Sequence, residues 1–290
     1  MTHTLKNKYL TVETTELGAE IVSVKKGQCE YMWQRDETYW ACCAPIMFPV
    51  CGRLFGGKYT CGGKEYSMGN HGFVRRTEFD VKEKSDEKIV FITKESETTL
   101  EQYPFSFSLE ISYELKENAV YSQITVTNTG NNILPFTTGA HPGFCVPIDD
   151  KGSFSDYYIE FEEGVSPSHL LFTSDCFQTG KRKALKLEKG YRLHLYHEMF
   201  DNDAIFMSGA GTKVTLKSDK TDRFVTVCFE GFSYLGLWHK PQSDAPYVCI
   251  EPWCGLPSYD GVIDDFDDKS DMFRLEKGGT KSVSYSIIFG

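Results

Sequence analysis

Nowhere does this sequence carry an apolar run approaching the roughly 18 residues of a membrane-spanning helix, and Met1 to Lys8 hold no apolar leader core. The expectation is a cytoplasmic chain. Paired cysteine spacing is missing too: ten cysteines lie scattered from Cys29 to Cys254 with no C-x-x-C among them. They read as reduced thiols used as small apolar fillers rather than as a disulfide framework. Positive charge is short, with 31 Lys and Arg against 41 Asp and Glu, a formal net charge of -10. A surface this acidic repels phosphate backbones and anionic headgroups, so neither nucleic acid nor membrane is an expected partner. A neutral small molecule meets no such barrier. Helical periodicity is nearly absent as well; only Glu97 to Tyr103 suggests a turn or two.

What is present is a period of two. Phe107, Leu109, Ile111, Tyr113 and Leu115 alternate with polar residues, and after a turn at Glu117-Asn118 the alternation resumes from Val120 to Asn128. That is a hairpin of half-buried strands. Similar runs recur at 9–14, 19–25, 77–82, 88–94, 156–161, 192–196, 213–217, 223–229, 234–238, 247–250 and 282–289. Many short strands without intervening helices predict an all-β fold, a large antiparallel β-sandwich. No repeat or linker divides the chain, so residues 1–290 are expected to form one domain, a length all-β sandwiches reach. The acidic stretch Asp260 to Asp271 lacks the ligand order of a calcium loop and reads as a solvated loop.

Segments rich in Gly and Pro interrupt the alternation and carry polar residues on expected loops. The first holds Gly52-Arg53 through Lys58 and, nearby, Asn70-His71-Gly72-Phe73-Val74-Arg75. The second is Thr138-Gly139-Ala140-His141-Pro142-Gly143-Phe144, and the third Glu251-Pro252-Trp253. Each residue also has a plain reading: His141 as a strand cap, His71 as a turn residue, Arg53 as half of a surface ion pair. Glu251 stands out because it follows the apolar run Tyr247-Val248-Cys249-Ile250, where a carboxylate is costly to bury. A zinc site from His71, His141 and Glu251 has no local signature, and no metal is expected. His194 and His197, three apart on an expected strand, point to opposite faces.

The ordered set of Gly52-Arg53, Asn70-His71-Gly72, His141-Pro142-Gly143-Phe144 and Glu251-Pro252-Trp253 resembles the aldose 1-epimerase, or galactose mutarotase-like, family. The likeness begins at Leu17-Gly18-Ala19-Glu20 and runs to the final strand. The resemblance implies the family's β-supersandwich, a hexose substrate and no cofactor. It implies that Glu251 is the catalytic base and His141 the acid, with His71 and Arg53 binding sugar oxygens. A further hydroxyl-binding carboxylate would be Asp203, with Asp201 equally near in sequence. The arrangement His71-Gly72-Phe73-Val74-Arg75 departs from the galactose-specific pattern and is similar to branches that include hexose-6-phosphate epimerases. Arg75, with Arg53 and Lys58, could then hold a phosphate through charge-assisted hydrogen bonds; Arg75 could equally be a structural ion pair.

Glutamate and histidine suit hemiacetal opening, which removes a proton from the anomeric hydroxyl while one reaches the ring oxygen. A glutamate near its reference value of about 4.3 is ionised at neutral pH, and a histidine near about 6.5 can be protonated beside carboxylates. The rival functions are a hexose-6-phosphate 1-epimerase, a non-catalytic carbohydrate-binding protein, and a glycoside hydrolase using Glu251 and Asp203.

Overall fold

The computed structural model describes residues 1–290. It is built almost wholly of strands, and its one α-helix, Glu97–Gln102, is capped by the Ser96 side chain accepting from the Thr99 amide. A nine-stranded antiparallel sheet runs in the order Arg192–His194, Tyr157–Phe161, Lys213–Ser218, Phe224–Cys228, Thr280–Phe289, Ala119–Asn128, Phe107–Lys116, Lys88–Lys94 and Asp80–Lys84. The expected hairpin lies at its centre: Lys116 pairs with Ala119 across a two-residue turn, and Glu117 adopts a φ of 52° there. Along Phe107–Lys116 every apolar residue is buried, as the alternation requires.

An eight-stranded sheet follows the order Gln178–Ala184, Ser168–Phe172, Ile205–Ser208, Tyr234–Trp238, Tyr247–Trp253, Gly139–Ala140 and Ile46–Met47, with Gly143–Cys145 also paired to Tyr247–Trp253. Both sheets, and a four-stranded sheet near the N-terminus, contribute to a single core cluster of 64 buried residues. The all-β sandwich read from the alternation is therefore the fold. All ten cysteines are free thiols. No helix is long and apolar enough to cross a membrane.

The functional face follows from strand parity. Val248 and Ile250 enter the main core, whereas Cys249 and Trp253 belong to separate small clusters on the other face of the sheet. Residues two apart share a face, so Glu251 points the same way as Cys249 and Trp253. This strand does not stop at Ile250, where the run 247–250 ended, but runs on to Trp253. The reason is the neighbouring segment. Ile250 donates its N–H to the Pro142 carbonyl, and Pro252, two residues on, turns its missing donor toward the same side. There the partner strand is itself broken between Ala140 and Gly143. Two prolines thus open a gap in the ladder, which is tolerated because neither has a donor to satisfy. The gap brings His141 out against Glu251.

Candidate functional site

A cleft of about 240 Å³ opens on this face, and Arg53, His71, Arg75, His141, Asp203 and Glu251 all line it. The segments that the sequence marked, up to 198 positions apart between Arg53 and Glu251, converge on one place. At its floor His141 Nε2 lies 3.2 Å from Glu251 Oε2. The same oxygen accepts from Trp253 Nε1 at 3.1 Å, a contact available because the two residues share a strand face. Glu251 is 1% exposed and His141 8%. Glu251 Oε1 and His141 Nδ1 are buried without a protein partner, so each member of the pair keeps one atom unspent. Opposite Glu251 in the register stands Gly236.

Burial lifts the Glu251 carboxyl well above the ordinary carboxylate range; Asp203 adds to the rise and the Trp253 donor opposes it. Burial lowers the His141 imidazole to about 3, with Arg75 pushing the same way. The expectation of an ordinary ionised glutamate beside a cationic histidine is therefore corrected. Removing water from a site penalises both charges, and each group moves toward its neutral form. Trp40 lies 4.9 Å from the His141 ring at an interplanar angle of 31°, and Trp238 meets it edge-on at 5.5 Å. Those two indoles cover part of the imidazole.

His71 sits beside this pair, its ring 5.6 Å from His141 and 5.4 Å from Trp253. Gly52 donates its N–H to His71 Nδ1 at 3.1 Å, so the neutral ring carries its hydrogen on Nε2. Burial lowers its basicity further, aided by His141 and by Arg75 and Arg53. The loop holding it is tightly wound: His71 has φ 62° and Gly72 φ 72°. A Cβ on Gly72 would lie 2.0 Å from the Phe48 carbonyl oxygen; only glycine fits.

Arg53 is exposed at the rim and donates from Nη1 to the Asp175 carbonyl at 3.2 Å. Arg75 is half-buried, and its Nε has no protein partner. Between the two aspartates the structure discriminates: Asp203 lines the cleft and receives the Cys176 thiol on Oδ2, while Asp201 is exposed and lines none of it. Lys58 does not join them; it pairs with Glu65 at 2.6 Å, away from the cleft. Trp40, Trp238 and Phe206 line the cleft without having been singled out, and Asn70, named only as part of its motif, lines it too. Phe206 and Trp238 look like ordinary strand alternation in sequence, and Trp40 sits in a polar loop. His197 also departs from expectation: it opens a 3-10 turn, not a strand, and its Nδ1 meets Nε2 of the buried His239 at 3.1 Å.

His141, Cys249 and Glu251 present donor atoms within 4.8 Å of one another. Burial, with Glu251 adding to it, holds the Cys249 thiol well above its ordinary value. The cleft brings together a contacting imidazole and carboxyl, aromatic faces and hydrogen-bonding groups.

Comparison with known proteins agrees with that chemistry. The profile of the aldose 1-epimerase family matches residues 1–268. The LacX proteins of Lactococcus lactis subsp. lactis, chromosomal and plasmid-encoded, are each 32% identical over 99% of this chain and 99% of their own length. A galactose mutarotase related enzyme from Lactobacillus acidophilus superposes with a TM-score of 0.95 at 31% identity, covering 100% of this chain and 97% of that one. A galactose mutarotase-like protein from Lactobacillus casei gives 0.94 at 29% identity, with 100% of both chains covered. Sequence motifs, sandwich and relatives lead to one assignment: this chain belongs to the aldose 1-epimerase family.

Proposed function

We propose that the protein, acting as one domain, interconverts the α and β anomers of a hexose by acid–base ring opening and closure. The observation that carries this reading is the direct His141–Glu251 contact on the floor of a cleft of about 240 Å³. Glu251 takes the proton of the anomeric hydroxyl as it passes its own proton across the 3.2 Å contact to His141, which delivers one to the ring oxygen. The aldehyde then turns about its bond to carbon 2, and closure on the other face runs the transfers backward. The pair ends as it began, holding one proton in all, so no cofactor is consumed. His71 Nε2, Arg53 and Asp203 hold sugar hydroxyls, and the indoles of Trp40, Trp238 and Trp253 flank the ring. A non-catalytic sugar binder would have no use for a proton-sharing pair in its cleft.

A pH profile of kcat/KM tests the shared proton. A second proton enters only where His141 titrates, at about 3. The shared proton leaves only where Glu251 titrates, well above the ordinary carboxylate value. The rate is therefore expected to show no limb at the ordinary histidine or carboxylate values, the two outer limbs belonging to the pair rather than to either residue. An acid limb centred near the ordinary histidine value of about 6.5 would sink the assignment.

A phosphorylated hexose is the second reading, favoured by the unpartnered Nε of Arg75 in a cleft that also holds Arg53. Polarimetry of freshly dissolved α-glucose, α-galactose and α-glucose 6-phosphate decides between them. If the phosphate is a substrate group, Arg75→Gln raises KM for the 6-phosphate by about 10- to 100-fold, the loss of a charge-assisted pair, and leaves the neutral sugars unchanged. Equal effects on all substrates would remove phosphate from the role of Arg75.

A further inference from the structure

The acidic stretch from Asp260 to Asp271 is not uniformly solvated, contrary to its reading as a surface loop. Asp264 is buried at 8% exposure, and the Lys269 side chain is only 6% exposed. Lys269 Nζ lies 3.1 Å from Asp271 Oδ1 and 3.4 Å from Asp264 Oδ2. Each carboxylate spends its other bonding on the chain beside the cleft. Asp271 Oδ2 accepts the Leu256 N–H at 2.6 Å, and Asp264 Oδ2 accepts the Ser258 hydroxyl at 2.6 Å. Ser258, fully buried, then carries the Arg53 turn: its N–H donates to the Arg53 carbonyl at 2.9 Å, and its Oγ accepts from Phe55 N at 3.0 Å. Pro257, between these anchors, lines the cleft and packs so closely on Gly52 that a Cβ there would lie 2.4 Å from it.

The loop's own shape has a separate staple. Arg274 Nη2 donates to the carbonyls of Phe266 at 3.1 Å, Asp267 at 2.7 Å and Lys269 at 3.1 Å. Lys269's ammonium is therefore spent on neutralising two carboxylates that grip the cleft wall. Without it those buried carboxylates repel one another, and their hold on Leu256 and Ser258 loosens.

We propose that Lys269 is a positioning residue for substrate binding, setting Arg53 and Pro257 through Asp271, Asp264 and Ser258. The inference rests on the reading above that Arg53 contacts the sugar. Its test is a double-mutant cycle read by anomer-exchange kinetics on wild type, Lys269→Met, Arg53→Ala and the double variant. Lys269→Met is expected to raise KM by about 3- to 10-fold with kcat within about twofold, and to raise it by clearly less once Arg53 is alanine, when only the Pro257 share remains. Equal KM increases in both backgrounds, or a kcat loss matching the KM rise, would overturn it. If Lys269→Met fails to fold, Ser258→Ala, which removes one hydroxyl from the same chain, enters the cycle in its place with the same expected non-additivity. If wild type exchanges no anomers, the functional reading fails by itself. The cycle is then decided by dissociation constants for glucose and glucose 6-phosphate, read from tryptophan fluorescence with the same criterion.

Discussion

Glu251→Gln is expected to lose about 10² to 10⁴ of the anomer-exchange rate, the usual worth of a positioned acid–base group, while sugar binding persists. The amide keeps the size of the carboxyl, its oxygen can accept from Trp253, and its N–H can donate toward His141, but it cannot take up a proton. Binding is readable directly, because Trp40, Trp238 and Trp253 line the cleft. Quenching retained with turnover lost is the expected pair of results; full turnover would remove Glu251 from the chemistry.

The same substitution should make the fold more stable at neutral pH. Glu251's native value is raised above the ordinary 4.5 by burial. Below that ordinary value the carboxyl is protonated in both folded and unfolded chains, and its stability contribution is fully present. As pH climbs toward the native value, the unfolded chain ionises freely while the folded one resists, so wild type loses stability and the glutamine variant does not. A gain of at least about 1 kcal/mol, or ~2–4 °C in melting temperature, is expected at pH 7 and should vanish near pH 4. A variant less stable than wild type at pH 7 would show that Glu251 is not held at a cost.

Gly72→Ala is expected to have the largest structural effect. The added methyl would meet the Phe48 carbonyl oxygen at 2.0 Å, in a backbone conformation that L side chains rarely adopt. The obstruction is backbone and cannot rotate away, so the His71 loop must move or the chain must unfold. A loss above about 3 kcal/mol, or roughly 6–12 °C in melting temperature, should follow. Sugar affinity should fall as well in any surviving protein, since His71 is carried on the residue before. A melting temperature within about 2 °C of wild type would mean the turn has more room than the Phe48 contact allows.

The fold was largely legible because burial on one face of a strand imposes a period of two, and Phe107 to Leu115 show it without interruption. Boundaries were less so. The strand through Glu251 outlasts its proline because the neighbouring segment breaks at the same height, a fact about pairing that no single stretch of chain contains. Five of the six cleft residues sat in the Gly- and Pro-rich segments, whereas Asp203 was reached only through the family resemblance, and the Asp201–Asp203 ambiguity fell to which side chain lines the cleft. Trp238 and Phe206 were hidden because an aromatic on a regular strand looks the same whether it faces core or ligand. Protonation was misread for a related reason. The values for Glu251 and His141 are set by lost water, and part of the cover over His141 comes from Trp40, a residue 101 positions away. The pairing of Lys269 with inward aspartates was likewise masked by a local composition typical of solvent-facing turns.

The break opposite Pro252 sets His141 and Glu251 on the framework of a sheet, while Arg53, His71 and Arg75 arrive on connections that edge the cleft. On the proposed mechanism, chemistry and choice of sugar are thereby carried by different parts of the chain. Exchange of those connections with a relative's could redirect the protein to a new hexose at unchanged intrinsic turnover. Divergence within such a lineage can proceed by loop replacement alone, with the proton-handling floor inherited intact.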